Sequence, residues 1–230
     1  MVTTTNGASE VTETTPIDWR DFRFTFIVGI IYLMLTWTHF RWPGLQLNDL
    51  NSLVPFFCVL GYILVRARRE PEKLDEWGIT TPLPLAAIAS ALVLLGIGIA
   101  GLTLSTGIAH AGGPRMEASY LPRIANYLIG AFPQQFVMCS VGLVSMAKLP
   151  VFRGIWCLPL FVGFAFFLAH FALPGKSLAD VPLELATLFP GGFLAACYFL
   201  KFRSMLPLTA LHAILYIFLS TWTPLAQAQQ

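Results

Sequence analysis

The sequence predicts an all-α membrane protein, a polytopic bundle of about seven transmembrane helices. Three observations predict it. Of the 230 residues, 56% are hydrophobic and only 11% are charged, against about 25% charged in an ordinary soluble domain. The apolar residues gather into seven stretches. The basic residues fall unevenly between the two sets of connections that alternate along those stretches. A soluble monomer with a mean hydropathy of +0.70 could not cover its own surface with polar groups. Fibrous, collagen-like and largely disordered chains are excluded by the same composition. A formal charge of +2 with no basic stripe excludes a nucleic-acid partner, because nothing would neutralise a phosphate backbone.

The elements follow in order. Residues 1–17 are Thr-rich, carry Glu10 and Glu13 and hold no basic residue before the apolar region. They lack the basic start of a signal peptide and read as a flexible tail. The transmembrane domain is expected over 18–223, with a short tail at 224–230. Its apolar stretches run over 24–40, 50–65, 84–104, 122–147, 155–174, 184–200 and 205–222. Most approach the roughly 20 residues that a spanning helix needs, and in lipid a continuous apolar run satisfies its backbone only as a helix. The segment REPEKLDEWGI (69–79) is too polar to span. It is expected on the cytoplasmic surface, ending where Pro82 and Pro84 start the third helix. The loop 110–122 is the longest on the other side. Cys58, Cys139, Cys157 and Cys197 all lie in apolar runs with no Cys-x-x-Cys pair, so four buried thiols are expected, with no disulfide framework or zinc site.

Orientation follows from charge. One set of connections holds ten Lys and Arg residues, the other only Arg41, Arg115, Arg123 and Lys176. The richer side is cytoplasmic. Trp19, Trp77 and Trp156 are expected at that interface, and Trp37, Trp42 and Trp222 at the opposite one.

Chemistry in a membrane chain shows as polar residues at membrane depth. Gln134 and Gln135 follow Pro133 in the fourth stretch. His170 lies near the end of the fifth, preceded by Phe166. His212 lies in the seventh, followed by Tyr216. Spacings of four put Phe166 with His170, and His212 with Tyr216, on common helix faces. The plainer readings are glutamines bonding neighbouring helices and histidines packed with one partner each. Two histidines and a glutamine pair on three stretches favour a shared polar cluster. Glu184 reads better as an acidic residue at a helix start than as part of it.

The order of these features resembles the CPBP family, the CAAX-protease and bacteriocin-processing membrane proteins that include the type II CAAX prenyl endopeptidases. The resemblance covers roughly residues 74–218. LDEWGI is similar to a short polar-aromatic-Gly-Leu stretch of that family. FAFFLAH (164–170) looks like its Phe-x-x-x-His motif. FPGGFLAACYFLKFRSMLPLTALHAILY (189–216) resembles its most recognisable run, a Gly-containing helix, a basic turn, Leu-Pro, and a His followed four residues later by Asn. The resemblance implies a CPBP-like bundle and places His170 and His212 at motif positions. The family's Glu-Glu-x-x-x-Arg reads here Gln134-Gln135-Phe136-Val137-Met138-Cys139, and its Asn position is Tyr216.

The family's proposed mechanism uses a glutamate as general base on water, oriented by a histidine, with the second His and the Asn holding the oxyanion. A glutamine amide cannot take and return a proton, and a general base is typically worth about 10²–10⁴-fold. His212 and the Tyr216 hydroxyl can still donate hydrogen bonds. The replacements are balanced: losing only the glutamates would strand a buried arginine, at a typical cost of several kcal/mol. Two histidines without a carboxylate make a poor metal site, so no metal and no cofactor are expected.

The expected function is therefore a catalytically degenerate family member, a scaffold, complex subunit, or helix-, lipid- or pigment-binding protein. The alternative is an active endopeptidase cleaving lipidated or membrane-inserted peptides. A secondary transporter is disfavoured because no inverted repeat is visible. Expected partners are membrane lipids and another membrane protein or membrane-inserted peptide. The expected location is integral to a membrane, the inner (cytoplasmic) membrane of a bacterium, with the N-terminus cytoplasmic. An odd number of passes puts the C-terminus outside: a topology reporter joined after Gln230 is expected to read as non-cytoplasmic, and a cytoplasmic signal would mean that one apolar stretch does not span.

Overall fold

The computed structural model describes residues 17–42, 48–80, 82–105, 118–152, 154–171, 178 and 181–222. Most of the N-terminal tail, most of loop 110–122, the segment 224–230 and the Glu184 side chain lie outside the described residues. Every element among those described is helical: α1 (Trp19–Arg41), α2 (Asn48–Ala67), a short α3 (Lys73–Glu76), α4 (Leu85–Ser105), α5 (Tyr120–Gln135), a π-helical turn (Phe136–Val141), α6 (Gly142–Ala147), a 3₁₀ turn (Pro150–Phe152), α7 (Cys157–Phe171), α8 (Val181–Phe202) and α9 (Leu206–Trp222). Four spans are long and apolar enough to cross a membrane: Trp19–His39, Leu85–Leu104, Tyr120–Ala147 and Leu185–Phe202. Ser52–Ala67, Cys157–Phe171 and Leu206–Ser220 are shorter apolar helices.

Burial separates these spans. Along Tyr120–Ala147, 72% of the apolar window is buried, against 6% along Leu85–Leu104 and 11% along Trp19–His39. The fused helix α5–π–α6 is thus the axis, and the others present apolar faces outward, as helices in lipid do. α2 and α9 pack on α5, α1 packs on the π turn and α6, α7 pairs with α8, and α4 lies against α8 and α9. α4 begins directly after Pro84. The axis itself is irregular. Pro133 sits inside α5 and removes one backbone donor. The π turn then inserts a residue into the helical register. Gly142 ends that turn, and a Cβ there would collide with the Val137 carbonyl oxygen.

The polar segment 69–79 is anchored in the bundle at some residues while Arg69, Pro71, Glu72 and Asp75 are exposed. Lys73 is buried and Trp77 has no exposed area. The Trp77 ring packs on Tyr62 and Phe136, and its carbonyl accepts a 2.5 Å hydrogen bond from the Ser140 hydroxyl. Trp77 is therefore a core residue and not an interface marker. Gly78 adopts φ +70. A Cβ there would lie 2.5 Å from the Arg203 carbonyl oxygen, so only glycine lets the segment lie against the α8–α9 turn. The Met205 N–H closes that contact on the Gly78 carbonyl at 3.0 Å. The cysteines also differ from expectation: Cys139 is buried, Cys58 and Cys197 are partly buried, and Cys157 is exposed.

Charge, not apolar area, fastens this end. Asp21 is buried on α1, where it accepts from the Tyr62 hydroxyl and from Lys73 Nζ, the latter at 3.3 Å. Arg66 pairs with Asp18 at 2.5 Å and Glu70 at 2.9 Å. Lys73 also reaches Glu76 at 2.7 Å, and Glu76 continues to Lys148 at 2.9 Å. The chain of pairs ties α1, α2, α3 and the end of α6 together. Burial alone would raise the Asp18 and Glu76 carboxyls. The Arg20 N–H, Arg66 and Lys73 overcome it at Asp18, and Lys73 and Lys148 overcome it at Glu76, leaving both below their ordinary values. Burial alone would lower Lys73, but the Glu76 contact and Asp21 raise it above 10.5.

Both carboxyls bind protons more weakly in the folded chain than in the unfolded one, so the network loses its contribution as pH falls through their depressed values. Lys73 loses its share only as pH rises through its raised value. Thermal unfolding in detergent should therefore give a midpoint that is flat near neutrality and falls on acidification below the ordinary carboxylate values of 3.8 and 4.5. At neutral pH, Asp21→Ala should cost about 1.5–3 kcal/mol, because it removes the carboxylate that accepts from Tyr62 and Lys73 while Arg66 and Lys73 keep their other partners. Arg20→Gln, whose side chain is 74% exposed and 3.9 Å from Glu70, should change little. Equal effects of the two would show that burial does not set the strength of this network.

Candidate functional site

Gln134 and Gln135 are consecutive on α5, so their side chains leave the helix about 100° apart. That angle separates their roles. The Gln134 amide donates to the Tyr32 hydroxyl on α1 and lies within hydrogen-bonding reach of the Tyr127 hydroxyl two turns back on its own helix. Gln135 is buried and turns the other way, toward α9, with Nε2 2.7 Å from His212 Nδ1. With the amide donating, His212 accepts at Nδ1 and carries its proton on Nε2. The Gln135 Oε1 atom is buried and has no hydrogen-bond partner among the described residues.

His170 sits one residue before the end of α7, and its Nδ1 lies 2.8 Å from the Phe166 carbonyl oxygen. A carbonyl only accepts, so this contact puts the imidazole proton on Nδ1 and the lone pair on Nε2. The Phe166 ring bridges the two histidines, with centroids 4.3 Å from His170 and 6.1 Å from His212. The imidazoles are therefore separated by no more than those two spans laid end to end. His212 meets α7 one turn below His170, which reconciles a histidine at a helix end with one set deeper in the bundle. Tyr216 lies on the same face of α9 as His212, but its ring stacks on Tyr127 at 3.9 Å, and Tyr127 also touches the edge of His212 at 6.0 Å.

Two neighbourhoods result, in place of the single cavity between the fourth, fifth and seventh stretches that the sequence suggests. One is a cavity of about 250 Å³ walled by α1, α2, α5, the π turn and α7, with Tyr32, Gln134, Val137, Met138, Ala169 and His170 on its surface. The other is the Gln135–His212 contact, with Tyr127 and Tyr216 beside it. Phe166 joins them. A larger cleft of about 940 Å³ lies at the charged end, against Asp18, Lys73, Glu76 and Lys148. Asp18, Lys73, Glu76 and Lys148 in its wall are engaged in ion pairs, and Glu72 and Arg203 also line it.

Chemically, the two neighbourhoods offer amides, phenols and imidazoles. No group of three or more His, Cys, Asp or Glu able to hold a metal occurs among the described residues. Cys139, one turn on from Gln135, is buried in the apolar core with Phe136 and Trp77. Sequence reasoning missed Tyr32 and Tyr127. The available signal was their depth: tyrosines of membrane helices concentrate at the interfaces, and these two lie well inside α1 and α5.

Compared with protein families, with curated proteins and with solved structures, the chain shows no match.

If the pairing is as the geometry has it, a double-mutant cycle of Gln135→Leu with His212→Phe should return a coupling of about 0.6–1.7 kcal/mol, the range for hydrogen bonds between membrane helices. The cycle of Gln134→Leu with His212→Phe should return a coupling near zero. Unfolding in detergent with a chaotrope measures both. Equal couplings would mean that the two glutamines serve one site.

Proposed function

We propose that this chain is a seven-pass integral membrane protein of the CPBP type that keeps the bundle of an intramembrane protease without its chemistry. It acts by holding a lipid, a membrane-inserted peptide or another membrane protein against its central helix. The motif resemblance over residues 74–218 supports the family, and four spanning helices with three shorter apolar ones fit seven passes. The basic asymmetry supports a cytoplasmic N-terminus in a bacterial inner membrane.

One observation carries the non-catalytic reading. Each amide at the glutamate positions is committed to a neighbouring helix, Gln134 to Tyr32 and Gln135 to His212. A water set there would meet hydrogen-bond donors and acceptors but no carboxylate to take its proton. The His170 proton is committed to a backbone carbonyl. Tyr216, at the asparagine position, lies flat on Tyr127. What the family uses to activate and stabilise is here used to join helices.

The test is a cleavage assay in liposomes, with farnesylated C-terminal peptides and single-span substrates. The unmodified protein should cleave neither above the level of His170→Ala. Specific cleavage that disappears in His170→Ala would overturn the reading and make a histidine the base.

A further inference from the structure

We infer that the open cleft of about 940 Å³ at the charged end binds the headgroup of a phospholipid that carries both a phosphate and a primary ammonium, the phosphate toward Arg203 and Arg20 and the ammonium toward Glu72. The site is separate from the one behind the proposed function. It needs only that the spans cross a membrane, whether or not the chain cleaves peptides.

Depth decides what meets the cleft. Trp19 opens one span, Ala147 closes another, and Arg203 follows the last residue of a third; all three line the cleft. The cleft therefore lies where apolar helices leave the hydrocarbon, at the level of lipid headgroups. Trp19 is 55% exposed there, in the manner of an interfacial tryptophan. Val144, in the wall one turn inward of Ala147, carries the cleft below that level. The volume is that of a small-molecule site, for which roughly 300–1,000 Å³ is typical.

Charge then selects the headgroup. Five cations and five carboxylates line the cleft, and most of them answer one another. Arg66 is held by Asp18 and Glu70, and Lys73 and Lys148 share Glu76. Asp75 accepts from the Thr80 hydroxyl. Arg203 and Glu72 are exposed, and among the described residues neither has an ion-pair partner. The Arg20 side chain meets only Glu70, at 3.9 Å, and Glu70 is already bound by Arg66 at 2.9 Å. Two guanidiniums and one carboxylate are thus left to the cleft. Guanidiniums take phosphate oxygens in paired hydrogen bonds, and a primary ammonium donates to a carboxylate. A ligand with a phosphate alone would leave Glu72 unanswered beside it.

The backbone presents Arg203 deliberately. Among the described residues it is the one non-glycine with positive φ, at +50. It stands just past the end of α8, where a left-handed residue closes many helices and glycine is the usual choice. Arginine there accepts backbone strain, and strain of this kind gathers at functional positions. The turn is held from outside: the Arg203 carbonyl lies against Gly78, and the Met205 N–H bonds the Gly78 carbonyl at 3.0 Å. The Phe199 ring supports the guanidinium at 5.9 Å.

The experiment is native mass spectrometry of the full chain, stripped of lipid in detergent and titrated with phosphatidylethanolamine, phosphatidylglycerol and phosphatidylcholine of the same acyl chains. Phosphatidylethanolamine is expected to be retained most tightly, because phosphatidylglycerol has no ammonium and the methylated one of phosphatidylcholine has no N–H for Glu72. Arg203→Gly should cut that retention about tenfold or more, the loss of a charge-assisted hydrogen bond. Glycine suits φ +50 better than arginine, so a loss in this variant is not a loss of fold. Glu72→Gln should erase the preference for phosphatidylethanolamine over the other two. Lys201→Gln, exposed on α8 but outside the cleft wall, should change nothing. Equal retention of the three lipids, or retention indifferent to Arg203→Gly, would overturn the site. Displacement of the lipid by glycerophosphoethanolamine or inorganic phosphate would overturn it as well and make the cleft a site for a soluble ligand. All of these results leave the cleavage assay untouched, so failure here and failure of the non-catalytic reading are told apart.

Discussion

A helix enclosed by other helices must satisfy its polar side chains sideways, because neither water nor lipid headgroups reach them. The Tyr120–Ala147 axis is under that constraint more than any other span described here. Its answer is a pair of cross-links in opposite directions, Gln134 to Tyr32 on α1 and Gln135 to His212 on α9. Pro133 and the π turn bracket those two residues. Irregular backbone of this kind costs helix hydrogen bonds, and in membranes it occurs where surrounding protein can re-satisfy it. Tight packing of α2, α9, α1 and α8 on the axis supplies that protection.

The charged end obeys the same rule with stronger terms. Asp21 and Arg66 lie on apolar helices, and Lys73 is carried in on a short helix that the sequence alone would leave at the surface. None of the three is tolerable alone, since an isolated buried charge costs several kcal/mol. Together with Asp18, Glu70, Glu76 and Lys148 they form an alternating chain in which each charge has an opposite neighbour. Above this layer the bundle is joined by amides and phenols. The two layers divide the work: ion pairs fix the end of the bundle, and neutral hydrogen bonds fix its centre, where the dielectric is lowest.

What the sequence made legible is what depends on local pattern. Apolar length gave the four helices long enough to cross a membrane, Pro84 the start of α4, and a spacing of four the shared faces of Phe166 with His170 and of His212 with Tyr216. What it hid depends on partners far along the chain. Asp21 carries no local sign of the contacts that Tyr62 and Lys73 bring to it, and Trp77 reads as an interface anchor until Phe136 closes over it. The separation of Gln134 from Gln135 was readable in principle, since neighbours on a helix point about 100° apart. Treating them as one pair concealed it. Cys157 is exposed because it opens α7, where apolar composition says nothing about which face meets protein.

Amides suit these two positions better than carboxylates would. A carboxylate in place of Gln135, buried beside His212, would face desolvation, and Cys139 one turn further on offers no positive charge to hold it ionised. It would take up a proton and become a weaker, pH-sensitive version of the same hydrogen bond. An amide makes that bond at every pH and brings both a donor and an acceptor. Glutamine is therefore the residue that ties α5 to α1 and α9 at least cost.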